Sequence, residues 1–276
     1  MMQTMSGQLD LDDGVLAYEV AGAGVPVVLV HAAFLDRRMF DPQWETLARE
    51  FQVVRFDMIG FGASSPATGP RSRRADVRRL LDHLGIDRAH WVGCSMGGEL
   101  LLDLALEQPE RAASLTVVGS TPSGFEMHGE MPRYMGEMIG ALQTGDVATA
   151  NELQIRIWFD GQFREPDQVN AEQRAQALAM NRLPVERSTF GIADMQPINP
   201  LDPPAVGRLD AVRCPTLIVA GALDHPEVVR AAEVMAQGIP HARQAIIDGA
   251  AHVPSFERPE VFNPLLLAFL REHSGV

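Results

Sequence analysis

The stretch HWVGCSMGGELL, residues 90–101, decides the fold. An apolar run leads into Gly93-Cys94-Ser95-Met96-Gly97, and a leucine-rich helical pattern leaves it. A strand and a helix joined this closely need a very tight turn. Its apex residue takes a strained backbone, and the residues two before and two after it must be small. Gly93 and Gly97 fill those places, so Ser95 is expected at the apex, with its Oγ clear of the C-terminal edge of a sheet. The first amides of the following helix and its dipole would favour negative charge beside that oxygen.

The pattern outward from this turn alternates strand and helix. GVLAYEV (14–20) alternates apolar and polar as a half-buried strand does. PVVLVH (26–31), FQVVRFD (51–57), AHWVGC (89–94) and ASLTVVGS (113–120) are apolar runs of the kind found in strands covered on both faces. Helical spacing is expected from about Asp41 to Glu50, through RSRRADVRRLLDHLG (71–85), and from Met96 to about Gln108, where Pro109 ends it. This rhythm implies right-handed crossovers and a parallel sheet. It breaks after Gly119. Residues 121–208 hold Met127, Met131, Met135, Met138 and Trp158 at helix-like spacing, then Pro197, Pro200, Pro203 and Pro204 as a linker. Alternation resumes with CPTLIVAG (214–221), a helix near 226–237, ARQAIID (242–248) and a last helix over about 259–272. The expected architecture is an α/β core of residues 1–120 and 209–276, a mostly parallel sheet flanked by helices. It is interrupted by a helical cap over residues 121–208. The methionines read either as ordinary packing or as an adaptable pocket lining.

Composition bounds the function. The 276 residues carry a formal charge of −13, which argues against nucleic acid or an anionic membrane surface as partner. The one basic stretch, residues 71–85, places Val77, Leu80, Leu81 and Leu84 on one helical face, leaving its arginines for solvent or for a binding patch. The N-terminus has neither a basic nor an apolar leader region, and no apolar run approaches the length of a membrane span. Two cysteines, Cys94 and Cys214, beside buried strands fit a reducing compartment, so a cytoplasmic protein is expected. Histidines and carboxylates show no metal-ligand spacing and there is no glycine-rich phosphate loop, so neither metal nor cofactor is expected.

A serine hydroxyl needs a base within hydrogen-bond reach and a carboxylate to orient that base. IVAGALDH puts Asp224 just past one late strand, and AIIDGAAH puts His252 just past the next. In a parallel sheet these loops open on the edge that carries Ser95. Asp248, close to His252 in sequence, and Asp57, on another loop of that edge, are competing carboxylates. Asp57 also suits an Asx-type bond within its own turn. Cys94 adjoins Ser95, but the apex belongs to the serine.

Four stretches resemble the α/β-hydrolase superfamily: VLVHAAF (28–34), FDMIGFGASS (56–65), VGCSMGG (92–98) and GAAHVPSFERPEVF (249–262). The resemblance covers nearly all of the chain outside the helical insertion. It implies Ser95 as nucleophile, His252 as general base and acid, and Asp224 as the orienting acid, in the chain order expected of that fold. It also implies an oxyanion hole from the backbone N–H groups of Met96 and Ala33, with His31 holding the loop. Ala32 departs from the glycine usual there. The implied activity is cleavage of a small-molecule ester or lactone. Phe34, Met127, Met131, Trp158, Phe159, Phe163 and Val253 are the expected substrate-binding wall. RIWFDGQFR (156–164) is similar to the cap of 3-oxoadipate enol-lactonase-like proteins. Three other readings stand beside this one: carbon–carbon bond hydrolysis of vinylogous diketones, a perhydrolase, and a ligand receptor on the same fold.

Overall fold

The computed structural model describes residues 4–274. The chain opens with a hairpin, β1 (Thr4–Leu11) and β2 (Gly14–Ala21), then β3 (Pro26–Val30), α1 (Asp41–Ala48) and β4 (Gln52–Phe56). There follow α2 (Arg73–His83), β5 (Ala89–Cys94), α3 (Met96–Glu107) and β6 (Ala112–Val118). The longest excursion from the sheet comes next, carrying α4 (Met135–Thr144), α5 (Val147–Ile155), a π-helical turn Arg156–Asp160, and α6 (Ala171–Glu186). The chain returns through β7 (Thr216–Gly221), α7 (Pro226–Gly238), β8 (Arg243–Ile247), the short α8 (Pro254–Glu257) and α9 (Pro259–Glu272).

The eight strands form one sheet in the order β1-β2-β4-β3-β5-β6-β7-β8. β2 runs antiparallel to both β1 and β4, and every pairing from β4 to β8 is parallel. The continuous apolar runs explain this. In β3, Val27 and Leu29 point to one face, and Val28 and Val30 to the other. Val28, Val54, Trp91, Val117 and Ile218 pack against Leu80 of α2, Leu101 of α3 and Met235 of α7. Val27, Val53, Val92, Val118 and Val219 pack on the opposite side against Trp44 and Leu47 of α1 and Phe262, Leu266 and Leu270 of α9. A sheet buried on both faces cannot alternate with polar residues, which is why these strands read as unbroken hydrophobic runs.

Two features depart from the sequence reading. β1 was not expected: it is an edge strand, mostly exposed, whose TMSGQLDL carries too little apolar character to stand out. The arginines around α2 do not form a solvent face. Arg71 is buried and bonds Asp76 and Asp13, and Arg73 bonds Asp194 and the Ile59 carbonyl. Arg74 reaches Asp103, Glu107 and the Asn199 carbonyl. Arg79 does face solvent. Arg71, Arg73 and Arg74 are drawn inward by acids, most of them distant in sequence, and Arg73 and Arg74 tie α2 to the chain returning from the helical excursion.

Candidate active site

Ser95 sits between β5 and α3 with φ 52° and ψ −121°, a conformation that costs a non-glycine residue about 1–3 kcal/mol. The close approaches explain the two flanking glycines. A Cβ on Gly93 would overlap the Gly97 carbonyl, and a Cβ on Gly97 would overlap the Val30 carbonyl. The Ser95 N–H donates to the Val118 carbonyl at 2.8 Å, which fixes the turn to β6.

The loops after β6, β7 and β8 meet by the same device. A Cβ on Gly119 would collide with the His252 carbonyl, and one on Gly221 with the Ala251 carbonyl. These bare strand ends let the loop from Gly249 to Val253 nest against backbone. His252, nearly buried, thereby faces both Asp224 and Ser95. Its Nδ1 lies 2.9 and 3.1 Å from the two Asp224 carboxylate oxygens, and its Nε2 lies 2.9 Å from Ser95 Oγ. An ionised carboxylate can only accept, so Nδ1 donates and the Nε2 lone pair faces the serine hydroxyl. Asp224 also accepts the His225 N–H at 2.7 Å.

The competing groups are engaged elsewhere. Asp57 accepts the N–H groups of Ala63 and Arg37 and pairs with the Arg37 guanidinium. Asp248 is exposed, with only its backbone carbonyl bonded, to Arg258, and the carboxylate on His252 Nδ1 is that of Asp224. Cys94 is fully buried with a free thiol, and burial pushes that thiol well above its ordinary range, so it stays protonated. His31 is buried and held neutral by desolvation. Its Nδ1 donates to the Ala32 carbonyl at 2.8 Å, and its Nε2 accepts the Met58 N–H at 3.0 Å. It thereby pins the loop after β3 to the loop after β4.

That β3 loop carries Ala33, partly buried, between the buried residues Ala32 and Phe34. Met96 is the first residue of α3, and helix geometry leaves its N–H without an intrahelical acceptor. Aromatic rings surround His252: Trp158 stands 4.6 Å away between ring centroids and Phe34 6.1 Å away. Val253 and Phe159 are buried, and Phe159 packs edge-on against Phe256. Met127, Met131 and Phe163 do not join this group, being 47%, 64% and 60% exposed. The helical spacing of the methionines misleads because Gly129 and Pro132 interrupt the segment, and α4 starts only at Met135. Phe163 turns outward because Gly161, at φ 79°, ends the π-helical turn before it.

Two residues at this site were not singled out from the sequence. Glu257, in α8, accepts the N–H groups of Ala251 and Val253 on either side of His252. Arg164, from the helical excursion, bonds Glu257 at 2.6 Å. A carboxylate five residues past a histidine was the available signal. Its partner, 93 residues earlier, was not visible. Among the described residues, no group of three or more His, Cys, Asp or Glu could hold a metal ion, and no helix is long and apolar enough to cross a membrane.

Residues 25–259 match the family described as alpha/beta hydrolase fold. The chain belongs to the α/β-hydrolase family. It is 32% identical over 273 residues to RutD of Azorhizobium caulinodans, provisionally named a carbamate hydrolase, covering 94% of this chain and 96% of that one. It is 28% identical over 247 residues to 3-oxoadipate enol-lactonase 1 of Acinetobacter baylyi, covering 89% and 88%. Among solved structures, Est816, described as an N-acyl homoserine lactone degrading enzyme, superposes with a TM-score of 0.78 at 26% identity, covering 95% of this chain and all of that one. It is also 26% identical over 273 residues to 2-hydroxy-6-oxo-6-phenylhexa-2,4-dienoate hydrolase of Comamonas testosteroni, covering 95% of this chain and 93% of that one, so the relatives of this α/β hydrolase are hydrolases named for several different substrates.

Proposed function

We propose that this α/β hydrolase cleaves small carboxylic esters or lactones through an acyl-enzyme on Ser95. The observation that carries the reading is the unbroken relay from Asp224 through His252 to Ser95, with the imidazole 2.9 Å from the hydroxyl. His252 takes the proton as Oγ attacks the carbonyl carbon, and Asp224 stabilises the imidazolium that forms. The N–H groups of Met96 and Ala33 hold the tetrahedral oxyanion, a contribution of about 2.7–4 kcal/mol per donor. The alcohol leaves with the proton from His252. Water, activated by the same imidazole, then releases the acid and frees Ser95.

Residues 121–208 act as a cap over the core of residues 1–120 and 209–276, and Trp158 and Phe34 furnish an apolar wall for the acyl group. The partner is a small molecule, needing no metal or cofactor. Both cysteines are free thiols, which supports a cytoplasmic setting. The names of the enol-lactonase and lactone-degrading relatives support an ester or lactone bond.

The test is a panel of p-nitrophenyl esters, simple lactones, a p-nitrophenyl carbamate and a vinylogous diketone, run on the native enzyme and on Ser95→Ala. Short esters or lactones are expected to turn over, with complete loss in Ser95→Ala. Turnover undiminished by Ser95→Ala, or cleavage of the diketone alone, would replace this reading.

A further inference from the structure

His252 comes from a loop, and loops are the mobile parts of a fold. Its ring is oriented by Asp224, but its backbone needs a separate anchor. One oxygen of Glu257 accepts the Ala251 N–H at 3.0 Å and the Val253 N–H at 3.1 Å, so a single carboxylate brackets the histidine. The second oxygen lies 3.0 Å from the same Ala251 N–H and accepts from Arg164 at 2.6 Å.

Arg164 uses all three of its guanidinium nitrogens. Its guanidinium also donates to the carbonyls of Phe159, Asp160 and Gly249 at 2.7, 2.8 and 3.1 Å. It therefore ties the π-helical turn that carries Trp158 to the loop that carries His252. Burial pushes the Glu257 carboxyl above its ordinary range, and Arg164 and the two amides oppose that push. Without the guanidinium, the carboxyl would take up a proton more readily and become a poorer acceptor for both N–H groups. The pair is not sealed. It forms part of the wall of a recess of about 380 Å³, lined also by Gln173 and Arg258.

We infer that Arg164 and Glu257 are positioning residues for His252, so that the seat of the helical excursion on the core sets whether the histidine stands ready to act on Ser95. The inference rests on the catalytic reading of the Ser95 relay. It gives the excursion a part in the chemical step, separate from any part in choosing substrate. A loop displacement of about 1 Å can cost a hundredfold in rate.

The experiment measures the rate at which a fluorophosphonate modifies Ser95, which reads the serine–histidine pair without needing the natural substrate. Active sites are titrated in parallel, so that rate per site is separated from the fraction folded. Arg164→Ala and Glu257→Gln are each expected to slow modification about 10- to 100-fold per titrated site. The double variant should be no more than about threefold slower than the worse single, because the two residues act as one unit. Millimolar guanidinium, entering through the recess, should restore much of the rate of Arg164→Ala. Arg133→Ala, which removes an exposed partner of Glu165 in the same excursion, should leave the rate unchanged. Should Arg164→Ala fail to fold, Arg164→Gln, a shorter polar side chain with fewer donors and no charge, takes its place.

Unchanged labelling in the Arg164 and Glu257 variants beside a reactive wild type would overturn the inference alone. So would a loss of titratable sites with normal rate per site and no response to guanidinium. An unreactive wild type would instead overturn the catalytic reading of Ser95, and with it this inference.

Discussion

The Asp224→Asn substitution tests the relay at its least obvious link. One Asp224 oxygen accepts the His225 N–H at 2.7 Å, and the other lies 2.9 Å from His252 Nδ1. An asparagine in the same pose must turn its carbonyl toward the His225 N–H, because only the carbonyl can accept. Its NH₂ then points at Nδ1. Two donors cannot face each other, so the imidazole adopts the other tautomer, with the hydrogen on Nε2. That hydrogen faces Ser95 Oγ, and the base is gone although every heavy atom stays in place. The expected loss in kcat is about 10⁴-fold, which corresponds to roughly 5.5 kcal/mol of transition-state stabilisation. KM and the thermal midpoint should change little, since size and the backbone bond are retained. The assay is steady-state hydrolysis of the best ester from the panel, with thermal unfolding followed by circular dichroism. A kcat within tenfold of wild type would refute the tautomer argument. So would a larger loss in Asp57→Asn or Asp248→Asn.

Three further outcomes are expected. Gly221→Ala should lower both kcat and the melting temperature, because the added methyl meets the rigid Ala251 carbonyl and can be relieved only by moving the His252 loop. Cys94→Ala should retain wild-type kcat and KM, since the thiol is buried and protonated; loss of activity there would return the nucleophile to the thiol. Glu99, in the first turn of α3, has its carboxyl raised by burial and by Asp103 from 4.5 to about 7. The folded protein thus holds a proton that the unfolded chain releases, and stability falls as pH rises from 4.5 to 7. Glu99→Gln should melt a few degrees higher than wild type at pH 8, and the gain should vanish by about pH 5.

The strands β3 to β7 were legible because a sheet covered on both faces leaves an unbroken apolar run in the chain. The turn at Ser95 was legible for a similar reason: its close approaches admit only glycine at 93 and 97. Arg71, Arg73 and Arg74 were misread because helical periodicity places a side chain on a face but says nothing of acids arriving from elsewhere. Asp194 lies 121 residues beyond Arg73. The exposed positions of Met127 and Met131 follow from Gly129 and Pro132, which outweigh the spacing of the methionines. Glu257 and Arg164 mark the deeper limit. Each has an ordinary local setting, and their meaning arises only where the helical excursion lands on the core.

The bare ends of β6 and β7 carry a lesson for redesign. Gly119 and Gly221 leave the histidine loop no room for larger neighbours, so libraries that randomise these positions should yield mostly dead clones. Selection for new substrates is better aimed at Phe34 and Trp158, which face the imidazole from two separate segments and can change shape while the hydrogen-bonded relay keeps its spacing.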